Sequence, residues 1–249
     1  MNAIEVSASG GVCEIRLNRP EKRNAVTLEM YSALVAALQR AQTDDCVRVV
    51  LLSGAGASFT AGNDLGDFVN GPPLSHTHPA AQFVRLLPSL EKVMIAAVHG
   101  TTVGVGVTLL LHCDFVLAAR ETRLAVPFVQ LGLVPEAGSS LLLPRVMGYQ
   151  RAAEMLLLGR PIDANQALQA GLVSRIVEDE QLLNEARALA QEVAKQPPHA
   201  LLATRRLLRS PTSDVRERIE EELRAFQTQR ESAEFRQAAQ DFFDRNAVR

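Results

Sequence analysis

The chain has 249 residues, 47% of them hydrophobic and 22% charged, with 15 glycines and 12 prolines. That length suits one large domain, or one domain with an appendage, and buries a substantial core without covalent staples. Lys+Arg 26 against Asp+Glu 28, no Trp and two Tyr exclude both the basic field and the stacking surface that hold nucleic acid.

In chain order, Ile4-Glu-Val-Ser7 and Val12-Cys-Glu-Ile-Arg-Leu17 flank Ser9-Gly-Gly11, which predicts a hairpin with Cys13, Ile15 and Leu17 on one face. Asn18 to Asn24 reads as a polar loop. Thr27 is the expected cap of a helix that carries Tyr31, Leu34, Leu38 and Ala41 at helical spacing. Val47–Leu52 reads as a strand covered on both faces. The small-residue loop Gly54 to Asp64 follows it. Asn70-Gly-Pro-Pro73 and His76-Thr-His-Pro79 make the next stretch the most irregular, the expected place for a mobile loop.

Val93–Val98 is a further buried strand, expected to pass through Gly100 into a helix opened by Val103-Gly-Val-Gly-Val107. Asp114–Ala119 is strand-like again. The alternation of strand and helix predicts an α/β layered fold. After Pro144 helices are expected: one over Gly148–Leu158 stopped by Gly159, and one over Ala164–Ala170 capped by Asp163. Amphipathic Leu182–Val193 comes next, then a helix from Pro197-Pro198 to about Arg209. The last begins with a capping box of Asp214 and Glu217 and carries a stripe of Ile219, Leu223 and Phe226. The expected organisation is a body over 1–199 and a helical region over 200–249, whose charges read as a solvated face.

Cys13, Cys46 and Cys113 are odd in number and far apart, with no CxxC. Neither a disulfide framework nor a zinc knuckle is indicated, and a reducing cytoplasm is expected. Met1-Asn-Ala-Ile-Glu-Val6 lacks the regions of a signal peptide, and Ala247-Val-Arg249 matches no peroxisomal address or lipidation motif. The apolar stretch from Val93 to Leu111 contains His99 and three glycines, so it reads as strand and helix instead of a membrane span.

Several chemical motifs are weak. Gly104-Val-Gly106 lacks the third glycine and the distant acid of a dinucleotide fingerprint. His76 and His78 have no metal-ligating partners nearby, His99 and His112 read as satisfied core histidines, and Asp64 reads as a helix cap. Two features stand out. Thr60-Ala-Gly-Asn-Asp64 and Thr102-Val-Gly-Val-Gly-Val107 each open a helix after an apolar strand, where free N–H groups hold anions or a developing oxyanion. Leu131-Gly-Leu-Val-Pro-Glu-Ala-Gly-Ser-Ser140 places one carboxylate in an apolar run. Glu136 is either a solvated turn residue or, if the run is buried, a base active near neutrality.

Leu17-Asn-Arg-Pro-Glu-Lys-Arg-Asn-Ala25, Phe59-Thr-Ala-Gly-Asn-Asp-Leu65, Ala96-Ala-Val-His-Gly100, Cys113-Asp114, Leu131-Gly-Leu-Val-Pro135, Gly159-Arg-Pro-Ile-Asp-Ala164 and Ala170-Gly-Leu-Val173 together resemble the crotonase (enoyl-CoA hydratase/isomerase) superfamily over essentially the whole chain. The resemblance implies an α/β spiral of ββα turns with a C-terminal helical trimerisation region, giving a homotrimer or a dimer of trimers. It also implies an acyl-CoA thioester substrate whose oxygen is held by the backbone N–H groups of Asn63 and Val105. CoA is then part of the substrate, and no separate cofactor, metal or membrane is called for.

The two positions where hydratases of the superfamily carry glutamates hold Thr108 and Phe128 here, and Glu136 stands where they usually have glycine. Pro135-Glu-Ala-Gly-Ser-Ser140 is similar to the peroxisomal-type delta-3, delta-2-enoyl-CoA isomerases, which implies catalysis by Glu136 alone. Lys22 and Arg23 are candidate phosphate partners of CoA or plain solvated charges. Ala25, Ala61 and Leu65 are implied in adenine and pantetheine binding, and Phe128 in excluding water. The alternatives are another reaction of the superfamily, such as hydration, or a non-catalytic CoA-binding protein.

Overall fold

The structure, a computed structural model, describes residues 2–209 and 212–247. Met1 and four positions of the region expected to be helical, Ser210, Pro211, Val248 and Arg249, lie outside the described residues.

Strands β1 (Ile4–Ser9) and β2 (Val12–Leu17) form the predicted hairpin, in register from Ile4 opposite Leu17 to Ser9 opposite Val12. Gly10 and Gly11 turn it with φ of 58° and 83°, the left-handed pair that matches strand twist. β2 continues in parallel through β3 (Val49–Gly54), β5 (Val93–Val98), β7 (Phe115–Ala119) and β10 (Arg175–Val177), giving a six-stranded sheet. A second sheet runs through β4 (Ser58–Thr60), β6 (Thr101–Val103), β8 (Arg123–Ala125) and β9 (Ile162–Asp163). From β3 onward each long strand is followed by a short one and then by helix. This is the expected spiral of ββα turns.

The continuous apolar runs of the long strands follow from burial on both faces. Val49, Leu51, Val93, Ile95 and Leu117 face helix Leu182–Ala194 through Ala186, Leu189 and Val193. The alternate residues Val50, Leu52, Met94, Ala96 and Val98 face the main core, which includes helix Leu28–Thr43. Thr27 caps that helix by accepting from the Met30 N–H.

The structure corrects several expectations. β4 and β6 occupy stretches read as loop and as helix opening, and the helix after Gly104 is a single turn, Val105–Thr108. Three-residue strands carry too little period to be seen. The third strand lies at Val49–Gly54, two residues later than expected. A helix over Ser139–Met147 begins before Pro144 and contains it, where helices were expected only after that residue. The Asp214–Glu217 capping box does not form. Thr212 is the N-cap of helix Ser213–Arg230 without a side-chain bond, and Asp214 binds Arg145 at 2.6 Å.

Most consequentially, Ile219, Leu223 and Phe226 are buried in the main core of their own chain, so the stripe needs no second subunit to cover it. Nor is the helical region purely a solvated face: Arg205 and Glu222 are buried. His112 is buried and bonded, but His99 is only half-buried, bonded to the Gly56 carbonyl. Among the described residues no helix is long and apolar enough to cross a membrane.

Candidate active site

The parallel pairing of β4 with β6 sets Thr60 beside Thr102. Three residues beyond each lie Asn63 and Val105, so both N–H groups leave neighbouring strands at the same level. Gly62 and Gly104 make this geometry, with φ of 90° and 55°, values that L side chains rarely adopt. A Cβ at Gly62 would also stand 3.0 Å from the Val103 carbonyl oxygen. Among the described residues neither the Asn63 nor the Val105 N–H is bonded to a protein acceptor.

Beside Asn63 and Gly104 lies a cleft of about 810 Å³. It collects Lys22, Arg23, Ala25, Ala61, Asn63, Leu65 and Phe128, together with Phe242 and Phe243 from helix Ala233–Ala247. The loop over 18–26 is held rigidly. Asn24 is fully buried, and its Nδ2 donates to the carbonyls of Ala55 and Ser58 at 2.8 Å and of Phe59 at 3.2 Å. Its Oδ1 accepts from the Arg19 N–H. Backbone bonds Ala61 N–H to Arg23 O, Val26 N–H to Gly62 O and Asp64 N–H to Val26 O sew this loop to the 60–64 turn. Asp64 caps helix Leu65–Asn70 and pairs with Arg19 at 2.7 Å.

Glu136 and Val105 do not line that cleft. Glu136 lies on a small inner cavity of about 20 Å³ with Tyr31, Phe68, Leu223 and Phe226, and Asn63 borders both spaces. With 6% of its surface exposed, Glu136 is not a solvated turn residue. Burial raises its pKa to about 8, a hydrogen bond from the Thr108 hydroxyl pulls it back down, and the charge of Glu222 adds to the rise. Tyr31 donates to Asn63 Oδ1, fixing that side chain beside the carboxylate. Glu136 is the sole carboxylate of the inner cavity among the described residues. Thr108 is buried against it, and Phe128 is buried on the cleft side.

Residues 7–248 match the family model described as Enoyl-CoA hydratase/isomerase. The chain belongs to the enoyl-CoA hydratase/isomerase family. It is 40% identical over 198 residues to the 1,2-epoxyphenylacetyl-CoA isomerase of Escherichia coli K12, covering 77% of this chain and 76% of that protein. It is 35% identical over 225 residues to enoyl-CoA delta isomerase 2 of Rattus norvegicus, covering 88% of this chain and 57% of the rat protein. The crystal structure of an enoyl-CoA hydratase/isomerase from Pseudoalteromonas atlantica T6c superposes with a TM-score of 0.94 at 41% identity, over 98% of both chains. Named activities among similar proteins include isomerase, hydratase and dehalogenase. The family assignment therefore makes the chain an acyl-CoA enzyme and leaves the reaction to the site's own residues.

Sequence reasoning missed three residues of this site. Tyr31 was read only as core. Asn24 entered only as part of a polar loop and of the Leu17–Ala25 motif, with no role of its own. Glu222, 5% exposed, had a readable mark: Ile219, Glu222, Leu223 and Phe226 fall at i, i+3, i+4 and i+7, so Glu222 occupies a position of the apolar stripe.

Proposed function

We propose that the protein shifts the double bond of a 3-enoyl-CoA to the 2-enoyl position, with Glu136 as the single proton carrier. The observation that carries this reading is one buried carboxylate of raised proton affinity, with a hydroxyl and a phenyl ring at the two positions where a hydratase carries its acids. Glu136 takes the proton from C2, and that C–H electron pair forms the C1–C2 double bond of a dienolate; when C4 is protonated, the C3–C4 π pair takes the proton and the C1–C2 π pair becomes the new C2–C3 double bond. The negative charge passes to the thioester oxygen, which the Asn63 and Val105 N–H groups hold. Reprotonation at C4 by the same carboxyl restores the base, and C2 and C4 are close enough for one group to serve both.

Lys22 and Arg23 meet the CoA phosphates at the mouth, the backbone at Ala25, Ala61 and Leu65 holds adenine and pantetheine, and Phe128 walls off water. The reaction calls for no separate cofactor. Assembly as a homotrimer or a dimer of trimers belongs to the same reading. Tyr149, Leu157, Leu207 and Leu208, exposed by 62–81%, supply apolar surface for it in place of the buried stripe. A monomer by light scattering at micromolar concentration would refute the assembly.

The deciding experiment offers 3-enoyl-CoA and 2-enoyl-CoA side by side. The first gains the ultraviolet absorbance of a conjugated enoyl thioester, and the second forms little 3-hydroxyacyl-CoA. Robust hydration without isomerisation refutes the isomerase. Binding of both substrates with neither reaction identifies a non-catalytic CoA-binding protein.

A further inference from the structure

We propose that Glu222, on helix Ser213–Arg230, is a positioning residue for Glu136: it grips the turn that carries the base and thereby fixes the base's place. This rests on the reading of Glu136 as the base.

The turn holds itself only in part, through the Ser139 N–H and hydroxyl, which donate to the Glu136 carbonyl at 3.1 and 2.7 Å. Ala137 and Gly138 have successive left-handed φ values of 57° and 74°, a conformation that an alanine adopts only under strain. Helix Ser139–Met147 then begins with Gly138 as N-cap and no side-chain cap bond, and its Gly138 and Ser140 N–H groups find no acceptor within the turn. Glu222 supplies the missing acceptor from 84 residues away. One carboxylate oxygen accepts from the Gly138 N–H at 2.6 Å, and the other from the Ser140 N–H at 2.9 Å and the Ser140 hydroxyl at 2.6 Å. On the other side, His112 Nε2 lies 2.7 Å from the Ala137 carbonyl oxygen. A carbonyl only accepts, so Nε2 carries the proton and Nδ1 faces the Arg209 guanidinium at 3.5 Å. The turn is held from both sides, and the Glu136 side chain leaves it toward Thr108.

The electrostatics runs through the same contacts. Glu136 is faced by Tyr31 from helix Leu28–Thr43, by the Thr108 hydroxyl, by the neutral His112 behind Ala137, and by Glu222. Glu222 is itself faced by Arg218 on its own helix. Two carboxylates meeting at one turn oppose each other's ionisation, so Glu222 raises the proton affinity of Glu136 while fixing its position.

The test measures rates on 3-enoyl-CoA from about pH 5 to about pH 9.5 for the wild type, Glu222→Gln and Glu222→Asp. In Glu222→Gln an amide N–H confronts a backbone N–H and the negative charge is gone. We expect kcat to fall about tenfold or more with KM little changed, and the acid limb of the profile to move to lower pH. Glu222→Asp keeps the charge, so it keeps the limb and recovers part of kcat. A cap serving stability alone would lower the melting temperature and leave both limb and kcat in place, which overturns the proposal. If Glu222→Gln does not fold, Ser140→Ala carries the test, with a drop in kcat at constant KM expected and an unchanged kcat overturning it. A carboxyl-carbon NMR titration of Glu136 without substrate separates the two readings. Absence of isomerase turnover in the wild type defeats the reaction assigned above, whereas a Glu136 titration unmoved in Glu222→Gln defeats the role of Glu222 alone.

Discussion

The hydroxyl of Thr108 donates to the carboxylate of Glu136, joining the one-turn helix after Gly104 to the turn after Pro135. A donor aimed at a carboxylate favours its charged form. Thr108→Val, close in volume, removes that donor. The acid limb of the pH–rate profile should then move to higher pH, opposite in sign to Glu222→Gln. Activity near pH 7 should fall by up to about tenfold, and a profile of kcat/KM against pH checks it.

Glu136→Gln should bind acyl-CoA and keep the fold while losing about a thousandfold or more in kcat, because the inner cavity holds no other carboxylate. Isothermal titration with a CoA thioester and a rate assay separate binding from turnover. Near wild-type rates would remove Glu136 from the mechanism.

The same substitution has a stability signature. The Glu136 pKa is raised from 4.5 to about 8 in the folded chain, so between those values the native state binds the extra proton and stability falls as pH rises. His112, lowered from 6.5 to about 4 by burial, acts in the other direction. Its contribution is present above pH 6.5 and is lost as pH drops toward 4. Thermal melts across this range should show Glu136→Gln losing less stability than the wild type on the alkaline side. His112→Gln should lose less on the acid side.

Asn24→Ala leaves the carbonyls of Ala55, Ser58 and Phe59 without their shared donor, together with the Arg19 N–H. Buried groups stranded in this way cost about 3 kcal/mol. Urea denaturation should show the midpoint falling at constant slope, and an unchanged midpoint would mean that water replaces the amide without penalty.

Legibility in the sequence followed period length. Helix Leu28–Thr43, with Met30, Tyr31, Leu34, Leu38 and Ala41 turned inward, spans enough turns for a stripe to emerge from chance. β4 and β6, three residues each, do not, and their pairing is a property of the sheet more than of either segment. Glu136 could be placed in an apolar run, yet its burial is produced by Leu223 and Phe226 from far along the chain. Asn24 was unreadable for a related reason. Its worth lies in three carbonyls contributed by residues 55–59, and nothing in Lys22-Arg-Asn-Ala25 announces where they will be. Glu222 differs: its place on the stripe was visible, and the consecutive acids around it, Glu220 and Glu221, disguised it as one more solvated charge.

Tyr31, Asn63, Thr108, Glu136, Leu223 and Phe226 all come together within one polypeptide. This has a genetic consequence. Where a pocket is shared between chains, two differently damaged copies can restore one another by assembling a mixed oligomer with one sound junction. Here each copy carries its whole inner chamber. Co-expressing a chain damaged at Glu136 with another damaged at Tyr31 should therefore yield no rescue, and mixed assemblies should work only in proportion to the undamaged chains they contain.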